Sequence, residues 1–149
     1  MRYRHVIGAS ALSLLVASCS LGDSSDAGNI NIYVAVDKAT LPLDESMTIT
    51  ATAINVGYDD LTLTGPNDCL LYIEVLNNAG QIVWHSNGEC SSTSVTETLV
   101  PGQDKSQSFT WAGVNLAGAR LASGFYHIRA VARVTGAPYI GPPLSVSLE

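Results

Sequence analysis

The sequence predicts an all-β domain, built as an antiparallel sandwich, behind an exported N-terminus. Three observations carry this. Short runs of alternating apolar and polar residues recur along the chain, each ended by turn residues. No stretch sustains a helical period through the body of the sequence. Charged residues make up only 13% of the 149 residues, while threonine, valine and glycine are plentiful. β-branched residues with few charges suit a pleated, half-buried surface.

The first element is a leader. Arg2 and Arg4 precede "VIGASALSLLVAS", and no further charge occurs until Asp23. A basic start, a short apolar run and small residues before a cut site make a secretory signal, here a helix over residues 1–18. The run falls short of the about 20 apolar residues that a spanning helix needs. The residue after the cut site is Cys19, and "LVASC" resembles the lipobox of bacterial lipoproteins. The resemblance implies a diacylglycerol on the Cys19 thiol and an acylated amine, so that the chain meets the membrane through lipid alone. Each buried methylene contributes about 0.8 kcal/mol, so two or three acyl chains hold a domain on a bilayer without a helix. Residues 19–28, the cysteine and "SLGDSSDAG", read as a flexible tether. Ser20, rather than aspartate, follows the cysteine. In a Gram-negative cell that pattern resembles outer-membrane sorting, so the expected place is the cell envelope.

Loss of Arg2 and Arg4 with the leader leaves five basic residues against 13 acidic, a net charge of −8. That balance argues against nucleic acid and against electrostatic docking on anionic lipid.

Residues 29–149 form one domain by length. "INIYVAV" puts Ile30, Ile32, Val34 and Val36 on one face. "SMTITATAIN" alternates Met47, Ile49, Ala51 and Ala53 with threonines for a wet face. "LTLT" at Leu61–Thr64 is short. "CLLYIEVL" sets Leu71, Ile73 and Val75 against Leu70, Tyr72, Glu74 and Leu76. "NNAG" then turns the chain, and "QIVW" returns to Trp84, the clearest hairpin in the sequence. "TSVTETLV", "SQSFTW", "FYHIRAVARV" and "LSVSL" follow. The longest of these places Tyr126, Ile128, Ala130, Ala132 and Val134 inward. It turns Phe125, His127, Arg129, Val131 and Arg133 outward. On that register an Arg129→Ala substitution costs less than about 0.5 kcal/mol, as surface changes do.

Roughly seven to nine short strands in about 120 residues suggest an immunoglobulin-like antiparallel sandwich. "SGFYHI" resembles a tyrosine corner, in which the Tyr126 hydroxyl ties back to nearby backbone. Ile128 stands where antibody domains carry a core cysteine, so the core relies on packing. Cys69 opens one strand of the hairpin and Cys90 lies just past its return. Both come to the same end, and export places them in an oxidising compartment, so they are expected to pair. A metal site or reactive thiol is the alternative, but no CxxC spacing or histidine cluster favours metal.

The ordered pieces "VLNNAGQIVWHS", "LVPGQDKSQSFTW" and "LASGFYHIRAVA" resemble the BsuPI-type intracellular proteinase inhibitor domain. The shared features are an xGxxVW hairpin, an L-x-PG turn before an F-x-W strand, and a final G-x-Y strand. Asn55, after "MTITATAI", also fits. The resemblance covers most of the mature chain. It implies a sandwich in which Trp84 and Trp111 pack the core and Gly102 and Gly124 shape turns. It also implies protease inhibition as one possible activity.

No catalytic constellation is legible. There is no GxSxG elbow and no HExxH. His85 sits at a hairpin end and His127 on an outer face. Asp59, Asp60 and Asp68 lie in loops without an EF-hand spacing. The stretch Gly113–Gly124 is expected to cover one end of the sandwich. No cofactor or metal is expected. The best reading is a non-enzymatic, membrane-anchored domain that binds protein partners; the alternative is an inhibitor of serine proteases in the periplasm or at the cell surface. The candidate partner-binding loop is His85, Ser86, Asn87, Gly88 and Glu89; an inhibitor would need an exposed, rigid loop in extended conformation, for which the stretch "HSNGECSSTS", His85–Ser94, pinned by Cys90, is the candidate.

Overall fold

The computed structural model describes residues 29–135 and 137–149. The expected signal helix, Cys19 and the tether lie outside the described residues. Among the described residues eleven strands run in the order β1 (Ile30–Val36), β2 (Thr40–Leu41), β3 (Met47–Asn55), β4 (Leu61–Gly65), β5 (Leu71–Leu76) and β6 (Ile82–His85). Then follow β7 (Val95–Leu99), β8 (Asp104–Trp111), β9 (Gly124–Val134), β10 (Ala137–Ile140) and β11 (Leu144–Leu148).

Two sheets form. The smaller has three strands in the order β1-β3-β8, all antiparallel. The larger is organised around β9, whose eleven residues serve several partners in series. On one side β11 pairs with its first half and β10 with its second. On the other side β5 runs along Ala132 to His127, and β4 joins at Val134. β6 extends the sheet beyond β5, and β7 beyond β4. The edge strand β2 pairs with β11 in parallel. The chain therefore starts in the small sheet and crosses to the large one within a few residues. The whole is an immunoglobulin-like antiparallel β-sandwich, as the sequence predicts.

The core lies where the inward faces meet. Ile32, Met47, Ile49 and Ala51 pack in one cluster with Leu71, Ile73, Ile128 and Ala130. At one end three aromatic rings pack together: Trp84 tilted against Trp111 and Trp111 edge-to-face with Tyr126, each pair 6.3 Å between centroids. The tyrosine corner is present, since the Tyr126 hydroxyl donates to the Ala122 carbonyl at 2.9 Å. Tyr126→Phe should lower the unfolding free energy by about 1 kcal/mol, the net worth of one hydrogen bond. Urea melts of residues 29–149 measure this, and an unchanged midpoint would contradict the assignment.

The nine anticipated strands all form. The two short ones that alternation did not reveal are β2 and β10. β2 has two residues, too few for a period. β10 carries Pro138, which argues against a strand, but it is an edge strand with β9 as its partner, where proline is tolerated. Val131, placed on the outer face, is nevertheless 1% exposed. Its cross-strand neighbours are Tyr72 and Ile140, which close over it from both sides. Thr52 is likewise buried, with its hydroxyl bonded to Ser106 at 2.8 Å.

Candidate functional site

Cys69 and Cys90 form a disulfide with a Cα separation of 5.5 Å. Cys69 is buried and Cys90 half-buried. Asp68 stands beside the two sulfurs, but both are bonded to each other and offer no thiolate. Asp68 instead accepts from the Ser91 amide at 2.7 Å and holds the chain after the bridge. Denaturing digestion at glutamate, which cuts after Glu74 and Glu89, should release peptides that stay joined until reduced. Two free alkylatable thiols in fresh exported protein would contradict the pairing.

The loop His85–Glu89 is not extended. Ser86–Glu89 form one turn of 3-10 helix. The local cause is Ser86: fully buried, its hydroxyl accepts from the Ile73 amide at 2.9 Å and draws the chain down onto β5. Asn87 is half-buried, and its side-chain oxygen accepts from Arg133 at 2.8 Å. His85 is half-buried, with a buried Nδ1 that has no hydrogen-bond partner among the described residues. Gly88 and Glu89 are the members that face solvent.

The richer surface is the outer face of β5, β9 and β10. Register places Glu74 between His85 and Arg129. Glu74 is buried, and its carboxylate takes the Arg129 guanidinium at 2.7 Å. One step along, the Arg133 guanidinium lies 4.7 Å from the Tyr72 ring centroid and donates to the Cys69 carbonyl. Burial raises the Tyr72 phenol above its usual range, and the nearby Glu74 carboxylate adds to the rise. These charges are spent on one another. Beside them, between the β5–β6 turn and the β10–β11 connection, lies a groove of about 390 Å³. Leu76, Ile140 and Pro143 line it together with His127 and Arg129. Ile140 is 55% exposed, and Phe125, further along the outer side of β9, is 65% exposed. The groove escaped sequence reasoning because one wall depends on β10. The exposed isoleucine after Pro138 was the available signal.

His127 contacts the Ser145 hydroxyl at 3.1 Å, an exposed contact between residues directly opposite in the β9–β11 ladder. Both histidines reach the same outer face: His127 is engaged by Ser145, and His85 sits opposite Glu74 with its Nδ1 unpartnered among the described residues. Asp59 and Asp60 precede β4 and Asp68 follows it, so the three aspartates do not assemble. Gly113–Gly124 covers one end of the sandwich as expected. Asn115 organises it by accepting from the Ala117 and Ala119 amides, and the Val114 carbonyl takes the Trp111 indole N–H.

No family model matches the sequence, and no curated protein matches it. Solved structures do resemble the fold. Spo0M, the sporulation control protein of Bacillus subtilis, aligns with a TM-score of 0.51 at 10% identity over 82% of this chain and 50% of its own. The alkylpurine DNA glycosylase AlkC of Pseudomonas fluorescens aligns with a TM-score of 0.50 at 11% identity over 81% of this chain and 30% of its own. The CARDB domain of the PF1109 protein from Pyrococcus furiosus gives a TM-score of 0.46 at 14% identity over 80% of this chain and 87% of its own. This chain thus spans half or less of Spo0M and AlkC, and at such identities the likeness is one of fold.

Proposed function

We propose that this chain is an envelope lipoprotein, anchored through Cys19, whose non-enzymatic sandwich binds a protein partner on the outer face of its larger sheet. The observation that carries the binding surface is the groove beside β10. Aliphatic walls from Leu76, Ile140 and Pro143 stand next to polar His127 and Arg129, the mixture that takes one apolar side chain and fixes its backbone. The Cys69–Cys90 bridge supports export.

Charge narrows the partner. Lys38, Lys105 and Arg129 are paired with Glu45, Glu97 and Glu74. Arg133 and Arg120 are engaged with side-chain or backbone oxygens. With its cations committed and carboxylates in excess, the domain favours a neutral or cationic partner over a polyanion.

The test has two arms. Cys19→Ala should lose labelled palmitate and leave the detergent phase; a variant that stays labelled and membrane-bound contradicts the anchor. Envelope cross-linking should join wild type to a protein that Ile140→Asp does not capture, with melting unchanged. Equal capture by both contradicts the groove.

The second reading is inhibition of serine proteases by the loop that the disulfide holds. Exposed Gly88, Glu89 and Ser91–Ser94 favour it. The helical turn over Ser86–Glu89 counts against it, because a protease cleft takes an extended segment. Assays against a panel of serine proteases, with no slowing by the soluble domain, would dismiss it.

A further inference from the structure

We propose that the end of the sandwich bearing Val56, Tyr58 and Val100 rests on the lipid surface in which Cys19 is anchored, an inference that rests on the lipoprotein reading above.

The chain enters the domain at this end. The Asn29 carbonyl accepts from the Val56 amide at 2.8 Å and the Gly57 amide at 3.2 Å. Nine residues, 20–28, separate the lipid-bearing Cys19 from Asn29, ten residue steps with a reach of at most about 35 Å. The entry point therefore lies within that distance of the lipid-bearing position whatever path those residues take, and no other end of the domain is tethered so closely. The second loop of this end, Val100–Gln103, is fastened to the first. Gly102 donates to the Asn55 carbonyl at 2.8 Å, and the Asn55 amide donates to Gln103 at 3.0 Å.

Both loops expose apolar side chains. Tyr58 is 99% exposed, Val56 53% and Val100 50%. A tyrosine carries an apolar ring with a polar tip, which suits the boundary between acyl chains and water. Two valines beside it add shallow apolar contact. Asp59, Asp60 and Asp104 lie exposed at the same end, and the two loops contain no lysine or arginine. Such a surface is repelled by anionic lipid and accepted by headgroups that carry an ammonium. The occupant is thus a zwitterionic lipid surface, with the domain standing on this end and the groove beside β10 left open to a partner. Leu43 and Leu116 are equally exposed but belong to the opposite end, where Met47 pairs with Trp111.

Fluorescence with brominated lipids tests this on the full lipidated protein, reconstituted into phosphatidylethanolamine–phosphatidylcholine vesicles. The native Trp84 and Trp111 are 8% and 1% exposed and supply a shielded background. The emission added by Tyr58→Trp should fall by about half on brominated vesicles, since interfacial side chains reach the acyl boundary. The emission added by Leu116→Trp should not change. Protein that floats with the vesicles while Tyr58→Trp goes unquenched overturns the inference and leaves the anchor intact. Equal quenching at both positions overturns it too, because no end is then preferred. Protein that does not float overturns the anchor and this inference together.

Discussion

Asn55→Ala is expected to lower the unfolding free energy of residues 29–149 by about 3 kcal/mol, the worth of three hydrogen bonds at a buried site. Asn55 ends β3 and is fully buried. Its side-chain amide donates to the carbonyls of Asp59 and Leu99, both at 2.8 Å, and its oxygen accepts from Gly57 at 3.0 Å. One side chain therefore satisfies backbone groups of the β3–β4 loop, at Gly57 and Asp59, and the carbonyl at the end of β7. Alanine removes the donor and leaves the Leu99 carbonyl without it in the interior. Asn55→Asp should not rescue, because a carboxylate would face two carbonyls that need a donor. Val56→Ala, one residue on and exposed, should cost less than about 0.5 kcal/mol. Urea denaturation measures all three, and a loss below about 1 kcal/mol for Asn55→Ala would mean the loops close without it.

The position of Asn55 shows what the sequence made legible. A polar residue after seven alternating positions and Ile54 is visible as a strand end, and it fits the resemblance upstream of the motifs that run from the hairpin to the G-x-Y strand. Which carbonyls it serves is not visible, because they arrive from residues four and 44 positions away. The same split runs through the fold. Inward and outward sides were legible wherever one strand carried a full period, as in Ile30–Val36 and Tyr126–Val134. Pairing was not, because it joins segments across the chain. β10 exists through its ladder to β9 and not through its own sequence, and with it went one wall of the groove.

The candidate loop shows the opposite error. It lies beside the disulfide, yet the extended geometry that an inhibitor would require is not what forms. In the fold the buried Ser86 hydroxyl accepts from the Ile73 amide, and the helical turn begins at that residue. Period and composition report which way a side chain faces. They do not report which backbone group it completes.

Arg129 carries the same lesson to a measurable end. Alternation puts it outward, as observed, and an outward arginine is expected to matter little. Its partner changes that. Glu74 has a side chain only 12% exposed, against 27% for Arg129, and both Nε and Nη2 of the guanidinium lie 2.7 Å from one carboxylate oxygen. Removing the arginine leaves a largely buried carboxylate without its cation, and breaking such a pair costs several kcal/mol when both members are fully buried. Partial exposure reduces this, so Arg129→Ala is expected to cost about 2 kcal/mol, more than Tyr126→Phe. Replacing both Glu74 and Arg129 by methionine should recover to within about 1 kcal/mol of wild type, because neither charge then needs solvating. The exposed pair of Lys38 and Glu45, at 33% and 52%, serves as the control, and its loss should cost less than about 0.5 kcal/mol. Urea melts of the singles and the double close the cycle. An Arg129→Ala cost below about 0.5 kcal/mol would return the residue to the solvated face that its sequence position alone suggests.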